Sequence, residues 1–196
     1  MYVRQTQGQE LNLIVSGKLW RDALVMMDKE TESLWSQISG NAFRGEWSGE
    51  SLEPYPSEMT TWGEWVKAYP ETKVLFKSEE EREQQTRYNE YFGDEEKLGI
   101  FGRKVDDRRL PPKTRVVAVE AGGASMVFPI DQLPRNESVS ARLGNTSIEV
   151  VPTGAGGYHA YETTEDGMRG DQLRAHVVFW FGWVSFYPQA KVWSGG

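Results

Sequence analysis

The histidines are the first residues to consider for metal binding or acid–base chemistry, and the chain has only two, His159 and His176. They show none of the H-x-H, H-x3-H or HExxH spacings that bring metal ligands together. The chain also has no cysteine, which excludes disulfides, thiolate chemistry and zinc sites built on cysteine. The sequence therefore predicts neither a metal centre nor a cofactor.

Polar residues next to a tryptophan form the best candidate for a ligand site. Asp28, Ser36 and Gln37 lie close to Trp35 in the sequence, and Trp62 belongs to a second aromatic cluster. Ligand pockets often combine an aromatic wall with a few convergent polar groups. The structural alternative, which the pattern favours, makes Trp35 a core residue, Asp28 a turn former, and Ser36 and Gln37 partners of nearby backbone groups.

Three further polar or glycine-rich motifs have simple structural explanations. The TGAGG segment at 153–157 lacks the glycine spacing of phosphate-binding loops and predicts a turn or bulge. The DDRR run at 106–109 precedes two prolines and predicts a solvated turn. The acidic pairs of SEEERE at 78–83 predict a solvated face and not a pair of catalytic carboxylates.

Charge and hydropathy limit the partners of the chain. Its 196 residues carry a net charge of −7, which argues against the basic surface that duplex nucleic acid requires. No apolar run approaches the roughly 20 residues needed to span a bilayer, and MYVRQTQGQE has no signal-peptide apolar region. We therefore expect no nucleic-acid partner and no membrane span.

A tryptophan motif occurs twice, at 60–74 and at 177–192, and both copies read W-x-x-W-V-x-x-Y-P-x-x-K-V. The apolar residues of the first copy follow the spacing of one helical face: Trp62, Trp65, Val66 and Tyr69. Thr61 and Glu64 have capping-box spacing, and Pro70 ends the helix. The pattern predicts a short helix followed by a strand at 73–76. Helical spacing favours burial of the tryptophans against a sheet over a platform that stacks sugars.

The second copy is apolar on the opposite face as well, because Phe181 and Phe186 replace Gly63 and Ala68 of the first copy, and the charged Glu64 and Lys67 become Gly182 and Ser185. A helix that is apolar all round is buried on both sides. These two phenylalanines therefore lie in the core of this chain or form an interface with a second chain.

The remaining apolar segments predict an α+β fold of mostly antiparallel β-sheet. A hairpin is expected at 23–38, and a tight antiparallel pair is expected around AFRGEWSGESL. Further strands are expected at 114–120, 124–129, 138–143, 147–152 and 157–162, and one helical turn is expected at 130–133. We expect one domain, 1–196, with two pseudo-repeated halves, about 1–77 and 114–196, each with a short Trp-rich helix. The charged excursion at 78–113 joins them, and its YNEYF aromatics are expected to dock on the body.

Four segments together resemble the domain-of-unknown-function 3179 (DUF3179) family of bacteria and archaea: SGKLWRDALVMMDKETESLWSQISGNAFRG, TTWGEWVKAYPETKVL, DDRRLPPKTRVVAVEAGGASMVFPIDQL and VVFWFGWVSFYPQAKVW. The resemblance implies an exported or envelope-associated protein, without a settled activity. Members usually carry a Cys-Pro-Leu-Cys segment before the position of Tyr2. This chain lacks that segment, so we expect a member shortened at its N-terminus and no chemistry from that cysteine pair. The matched positions are Asp28, Ser33, Trp35, Ser36, Gln37, Thr61, Trp62 and Trp65.

The function that the sequence favours is a binding or protein-interaction module, with a protein partner or a second copy of the chain. The first alternative is a small-ligand-binding protein or an enzyme with a site near Asp28, Ser36, Gln37 and the tryptophan cluster. The second alternative is a structural subunit of a larger assembly that docks through Phe181 or Phe186. The residues alone leave these alternatives open.

Overall fold

A computed structural model describes residues 1–75, 78–79, 91–94, 96–99, 102 and 105–195. Its strands are β1 (Gln5–Thr6), β2 (Gln9–Glu10), β3 (Leu13–Trp20), β4 (Ala23–Asp28), β5 (Leu34–Ser36), β6 (Ala42–Arg44), β7 (Arg115–Ala121), β8 (Ala124–Pro129), β9 (Val139–Leu143), β10 (Thr146–Pro152), β11 (Tyr158–Thr163), β12 (Arg169–Leu173), β13 (Ala175–Phe179) and β14 (Lys191–Val192). The helices are α1 (Trp62–Ala68), α2 (Trp180–Phe186) and one 3-10 turn, Ile130–Gln132. The predicted α+β class with mostly antiparallel strands is confirmed.

The N-terminal sheet has the strand order β3-β4-β5-β6, and all its neighbours are antiparallel. The predicted hairpin is the pair β4 and β5, whose five-residue connection begins after Asp28. Trp35 lies at the centre of the small core beneath this sheet, where it is fully buried with Leu11, Ala42 and Leu52.

Two further four-stranded sheets pack face to face in the second half of the chain. One has the order β12-β11-β10-β9, and the other, which we call the central sheet, has the order β13-β7-β8-β14. Alternate residues of the central sheet, such as Val117, Val119 and Phe128, fill the core between these two layers. Strand β14 runs parallel to β8, and β13 is an edge strand because, within the described residues, it pairs only with β7.

Helix α2 covers the other face of the central sheet. Trp180 and Trp183 are fully buried there, and the Trp183 Nε1 donates a hydrogen bond to Ser125 Oγ at 2.8 Å. Arg109 binds the segment that follows this helix. Its guanidinium donates to the carbonyls of Pro188 and Ala190 and lies 4.9 Å from the Trp180 ring. The DDRR run is therefore not only a solvated turn, because its last arginine anchors the segment that follows α2.

Helix α1 forms as predicted but is placed differently from α2. The Thr61 hydroxyl accepts a hydrogen bond from the Glu64 backbone N–H at 3.3 Å. The prediction that the tryptophans of α1 are buried is wrong: no residue of α1 is buried, and Trp62 is 53% exposed. The strand expected at 73–76 is also wrong for residues 73–75, which have no strand partner, and Phe76 lies outside the described residues. In the described part of the chain, α1 therefore has no following strand to cover.

The strands that were not predicted include β12 and β13. The polar sequence RGDQL of β12 hides its strand character, and the AHVVF of β13 was interpreted as part of the helical tryptophan motif. Two of the three YNEYF aromatics, Tyr91 and Phe92, are described and contact the body, and Tyr88 lies outside the described residues. Phe92 lies 6.1 Å from Phe179, and the Lys113 ammonium lies 3.8 Å from the Tyr91 ring. Among the described residues, none of the helices combines the length and apolar character required to cross a bilayer.

Candidate functional site

Asp28 is held in a compact hydrogen-bond network at the end of β4. One carboxylate oxygen accepts the Trp35 indole N–H at 2.8 Å, and the other accepts the backbone N–H and the hydroxyl of Thr31 at 2.7 and 2.8 Å. The Asp28 side chain is fully buried. Burial acts to raise its pKa, but the hydrogen bonds from Trp35 and Thr31 outweigh that effect, and the pKa is lowered overall. These contacts fix the hairpin turn and leave the carboxylate occupied.

The serines near Trp35 also have structural partners. Ser36 is 1% exposed, and its hydroxyl accepts the backbone N–H of Ser39 at 3.1 Å. Ser33, which is fully buried, accepts the backbone N–H of Trp47 at 3.2 Å. This arrangement matches the structural explanation of the sequence and does not bring Asp28, Trp35 and Ser36 to a cavity.

A cavity of about 590 Å³ lies beside β13, and Gln37 is the one sequence-predicted ligand residue that lines it. Four consecutive residues of the edge strand, Ala175–Val178, form one part of its wall. Another part consists of apolar side chains from the N-terminal half, Leu13, Met26 and Ile38. Cavities of roughly 300–1,000 Å³ with mostly apolar walls and a few polar groups are typical ligand sites.

The edge of β13 that points away from β7 borders this cavity and carries backbone N–H and C=O groups that form no hydrogen bond among the described residues. The backbone N–H of Trp180 donates to the Thr114 carbonyl, and the Arg174 carbonyl accepts the backbone N–H of Glu120. In the antiparallel ladder between them, the even-numbered residues of β13 therefore point their backbone groups toward β7. The N–H and C=O of Ala175 and Val177 therefore point away from β7. Within the described part of the chain, these four groups form no hydrogen bond.

Arg174 ties the two halves of the chain together next to the cavity. Its Nη2 donates to the Tyr2 hydroxyl and to the Ile38 carbonyl, both at 2.5 Å, and its Nη1 donates to the Ser39 carbonyl at 2.8 Å. The Nη1 also lies 3.4 Å from the Glu120 carboxylate. Because the Nε donates to His176, this guanidinium donates hydrogen bonds to four acceptors in addition to its ion pair with Glu120.

His176 lines the cavity in one defined tautomer. Its Nε2 lies 2.7 Å from the Arg174 Nε, and a guanidinium can only donate, so this imidazole nitrogen must accept and the proton must be on Nδ1. Burial, followed by the charge of Arg174, lowers the pKa of His176 from 6.5 to about 3. The ring is therefore neutral near pH 7 and carries an Nδ1–H donor, for which the described residues provide no acceptor.

Two tyrosines complete the polar cluster around Arg174. Burial raises the pKa of Tyr2 to about 12, although the guanidinium acts in the opposite direction. Burial also raises the pKa of Tyr187, and its contact with the Glu120 carboxylate raises it further. Gly40 makes room for Tyr2, since a Cβ at this position would lie 2.5 Å from the Tyr2 ring. Both phenols stay protonated, so the cluster is a set of neutral hydrogen-bonding groups around one ion pair.

The remaining predicted residues lie away from this cavity wall. Phe181 is 6% exposed and stacks on Phe179 at 6.0 Å, inside the chain's own core. Phe186 is half-buried and makes an edge contact with Trp20 at 5.2 Å. These positions agree with the intrachain explanation of the second tryptophan motif.

The sequence did not indicate Arg174, His176 or the β13 edge as a site. The local signal is weak, because AHVVF contains a single polar residue and no regular alternation of apolar and polar side chains. Of the residues that the structure describes, no group of three or more histidine or acidic side chains could hold a metal ion.

The profile of a family described as a protein of unknown function, DUF3179, matches residues 1–167. No curated protein and no solved structure matches the chain. The family match covers the N-terminal sheet, α1 and most of the second half, and ends before β13. The chain belongs to the DUF3179 family.

Proposed function

We propose that this protein is a protein-interaction module that binds an extended segment of a partner protein along the edge of β13. The observation that carries the proposal is the set of four unused backbone groups on Ala175 and Val177, which border a cavity of about 590 Å³. A peptide strand that pairs with a sheet edge gains its affinity from main-chain hydrogen bonds of this kind.

The energetic argument concerns backbone groups next to a largely apolar cavity. Buried backbone N–H and C=O groups are nearly always paired, because an unpaired group loses its hydrogen bonds to water without replacement. An unprotected sheet edge is also a template for an additional strand. A bound segment would satisfy the outward groups of Ala175 and Val177 and cover the apolar side chains of Leu13, Met26 and Ile38.

Selection of peptides from a displayed random heptapeptide library, with the full chain as bait, tests this function. An enriched peptide is then titrated while hydrogen exchange of individual amides is followed by NMR. We expect the Ala175 and Val177 amides to exchange faster than those of Val116–Val119 in the free protein. At saturation, their exchange should slow at least about ten-fold, because each gains a hydrogen bond.

Val177→Pro is the sharpest variant. It removes the outward N–H and leaves the ladder between β13 and β7 intact, since proline is tolerated on the outer side of an edge strand. Val177→Ala is the matched control, which shortens the side chain and keeps the N–H. Peptide binding that is equal in both variants would contradict strand addition, and protected amides at Val116–Val119 show that the proline variant is folded.

Small-ligand binding in the same cavity is the second candidate function. It is favoured by the cavity volume and by the few polar groups among apolar ones, which include Gln37, Tyr158 and His176. The neutral dye N-phenyl-1-naphthylamine, whose fluorescence rises in apolar sites, is a suitable probe. A small ligand does not need the N–H of residue 177, so Val177→Pro should leave dye binding unchanged and abolish peptide binding.

A second copy of the chain is the alternative source of the bound segment. Sizing of the pure protein over a range of concentrations distinguishes the two sources. A monomer that binds the selected peptide supports a separate partner, whereas a dimer that dissociates when the peptide is added shows that the chain pairs with itself.

A further inference from the structure

We propose that the bound segment carries a neutral side chain with a hydrogen-bond acceptor, an asparagine or glutamine amide, at the residue opposite His176, with apolar residues on both sides. This inference rests on the proposed function and specifies the chemistry of the segment. It is carried by the unpartnered Nδ1–H of His176 and by the two faces of β13.

The register of a β-ladder decides which side chains meet. Residues directly opposite each other on paired strands place their side chains on the same face of the sheet. A residue opposite His176 therefore lies on the face where the imidazole borders the cavity. Its neighbours lie on the other face, next to Val117 and Tyr158, which belong to the apolar core between the sheets. The segment should alternate apolar, polar and apolar.

The polar residue must accept a hydrogen bond, because the group that meets it can only donate. The Arg174 N–H fixes the His176 Nε2 as an acceptor and leaves the proton on Nδ1. In the free protein this donor borders the open cavity, but a bound segment would exclude water from it, and a buried donor without a partner costs about 1–3 kcal/mol. An amide oxygen on the bound segment removes that cost, whereas a leucine in its place leaves the donor unpaired.

The acceptor should be uncharged, because the charged groups that line the described cavity already balance. The Met1 ammonium, which donates to Ser57 Oγ at 3.0 Å, and the Glu58 carboxylate both line it. The Arg174 guanidinium next to the cavity donates to four acceptors and is paired with the Glu120 carboxylate. Burial of a carboxylate without a cation of its own would cost more than burial of an amide.

Three blocked pentapeptides with the sequences Thr-Val-Asn-Val-Thr, Thr-Val-Leu-Val-Thr and Thr-Val-Asp-Val-Thr test the inference. NMR titration at up to millimolar peptide reports binding through the Ala175 and Val177 amides. We expect the asparagine peptide to bind about five-fold more tightly than each of the others, which corresponds to about one hydrogen bond. In His176→Phe, the preference for asparagine over leucine should disappear.

The outcomes separate this inference from the proposed function. If neither these peptides nor the selected heptapeptides protect the Ala175 and Val177 amides, strand addition itself is wrong. If the three pentapeptides protect both amides with equal affinity, strand addition stands and the assigned side-chain chemistry is wrong.

A second measurement keeps the inference testable if His176→Phe does not fold. The ring nitrogen shifts of ¹⁵N-histidine-labelled wild-type protein show which imidazole nitrogen carries the proton. We expect the Nδ1–H form in the free protein and a change in the Nδ1–H signal when the asparagine peptide binds. An Nε2–H tautomer, or a signal that does not respond to bound asparagine peptide, would overturn the inference.

Discussion

Trp62 and Trp180 occupy the same position in two helices of nearly identical backbone, yet Trp62 is 53% exposed and Trp180 is fully buried. Both helices have seven residues and end at a tyrosine with similar dihedral angles, φ −133° and ψ 72° at Tyr69, and φ −124° and ψ 69° at Tyr187. The sequence repeat therefore specifies the helix and its end. The environment of each tryptophan depends on whether a sheet lies beside the helix.

This difference predicts unequal costs for the same substitution. Trp180→Ala removes a fully buried indole and should lower the free energy of unfolding by about 4 kcal/mol. Trp62→Ala, the matched control in α1, should change it by less than about 1 kcal/mol because the side chain is half exposed. Urea unfolding followed by circular dichroism measures both. Equal losses would show that α1 also packs against a core.

The tryptophan motif shows how far the sequence can predict this fold. Helical spacing, the Thr61 cap and Pro70 are local signals, and the helix they predict is present. Burial of the tryptophans is not a local property, because it requires a strand after the helix. Strand β14 follows α2, whereas residues 73–75 form no strand after α1. The same limit explains the candidate site: the Asp28 and Trp35 network lies within one hairpin, whereas Arg174 meets Ile38 across 136 positions of sequence.

Asp28→Asn should destabilise the hairpin. The carboxylate accepts hydrogen bonds from Trp35 and Thr31, and an amide nitrogen in place of one oxygen would face one of these donors. We expect a loss of about 2 kcal/mol in the free energy of unfolding, measured by urea titration at pH 7. Asp171→Asn, at an exposed position of β12, is the control. A loss as small as that of the control would mean that the buried network contributes little.

The pH dependence of the same substitution has a defined sign. The pKa of Asp28 is lowered in the folded protein from its ordinary value of 3.8, so the carboxylate stabilises the fold above that value. This contribution is lost as the pH falls through the folded-state pKa. The difference in stability between wild type and Asp28→Asn should therefore be largest near neutral pH and shrink below about pH 4.

Arg174→Met should be costly because it leaves Glu120 without its partner. The Glu120 carboxylate lies 3.4 Å from the Arg174 Nη1, and the two side chains are 25% and 17% exposed. Removal of one member of a fully buried ion pair costs about 3–5 kcal/mol, and for this partly exposed pair we expect about 2 kcal/mol. The double variant Arg174→Met with Glu120→Gln should recover part of this loss, because no unpaired charge remains. Urea unfolding of both single variants and the double variant gives the coupling free energy between the two side chains. A strictly additive result would show that the two charges do not interact.

Gly40→Ala should disturb the site through Tyr2. Gly40 has φ +74°, and a Cβ there would lie 2.5 Å from the Tyr2 ring, which must then move away from Arg174. Gly17→Ala is a matched control with the same φ of +74° and no heavy atom within 4 Å of the added carbon. The control should lose about 1 kcal/mol of stability from backbone strain alone. Gly40→Ala should lose about 2 kcal/mol more because of overpacking, as measured by urea unfolding.

The last prediction concerns His176 and the stability of the protein in mild acid. Its folded-state pKa is about 3, below the ordinary value of 6.5, so the unfolded chain binds a proton between these values that the folded protein does not bind. Stability should therefore fall as the pH decreases from 6.5 toward 3, with a slope of up to about 1.4 kcal/mol per pH unit from this residue. His176→Gln should remove this slope.

His159→Gln is the control for that experiment, since it changes the other histidine of the chain and retains His176. Free energies of unfolding are measured by urea titration at intervals from pH 7 to pH 4, a range above the one in which Asp28 is protonated. The control should keep the full slope because the burial of His176 against Arg174 is unchanged. If the slope disappears in His159→Gln and persists in His176→Gln, the neutral imidazole next to Arg174 is not the group that is protonated on unfolding.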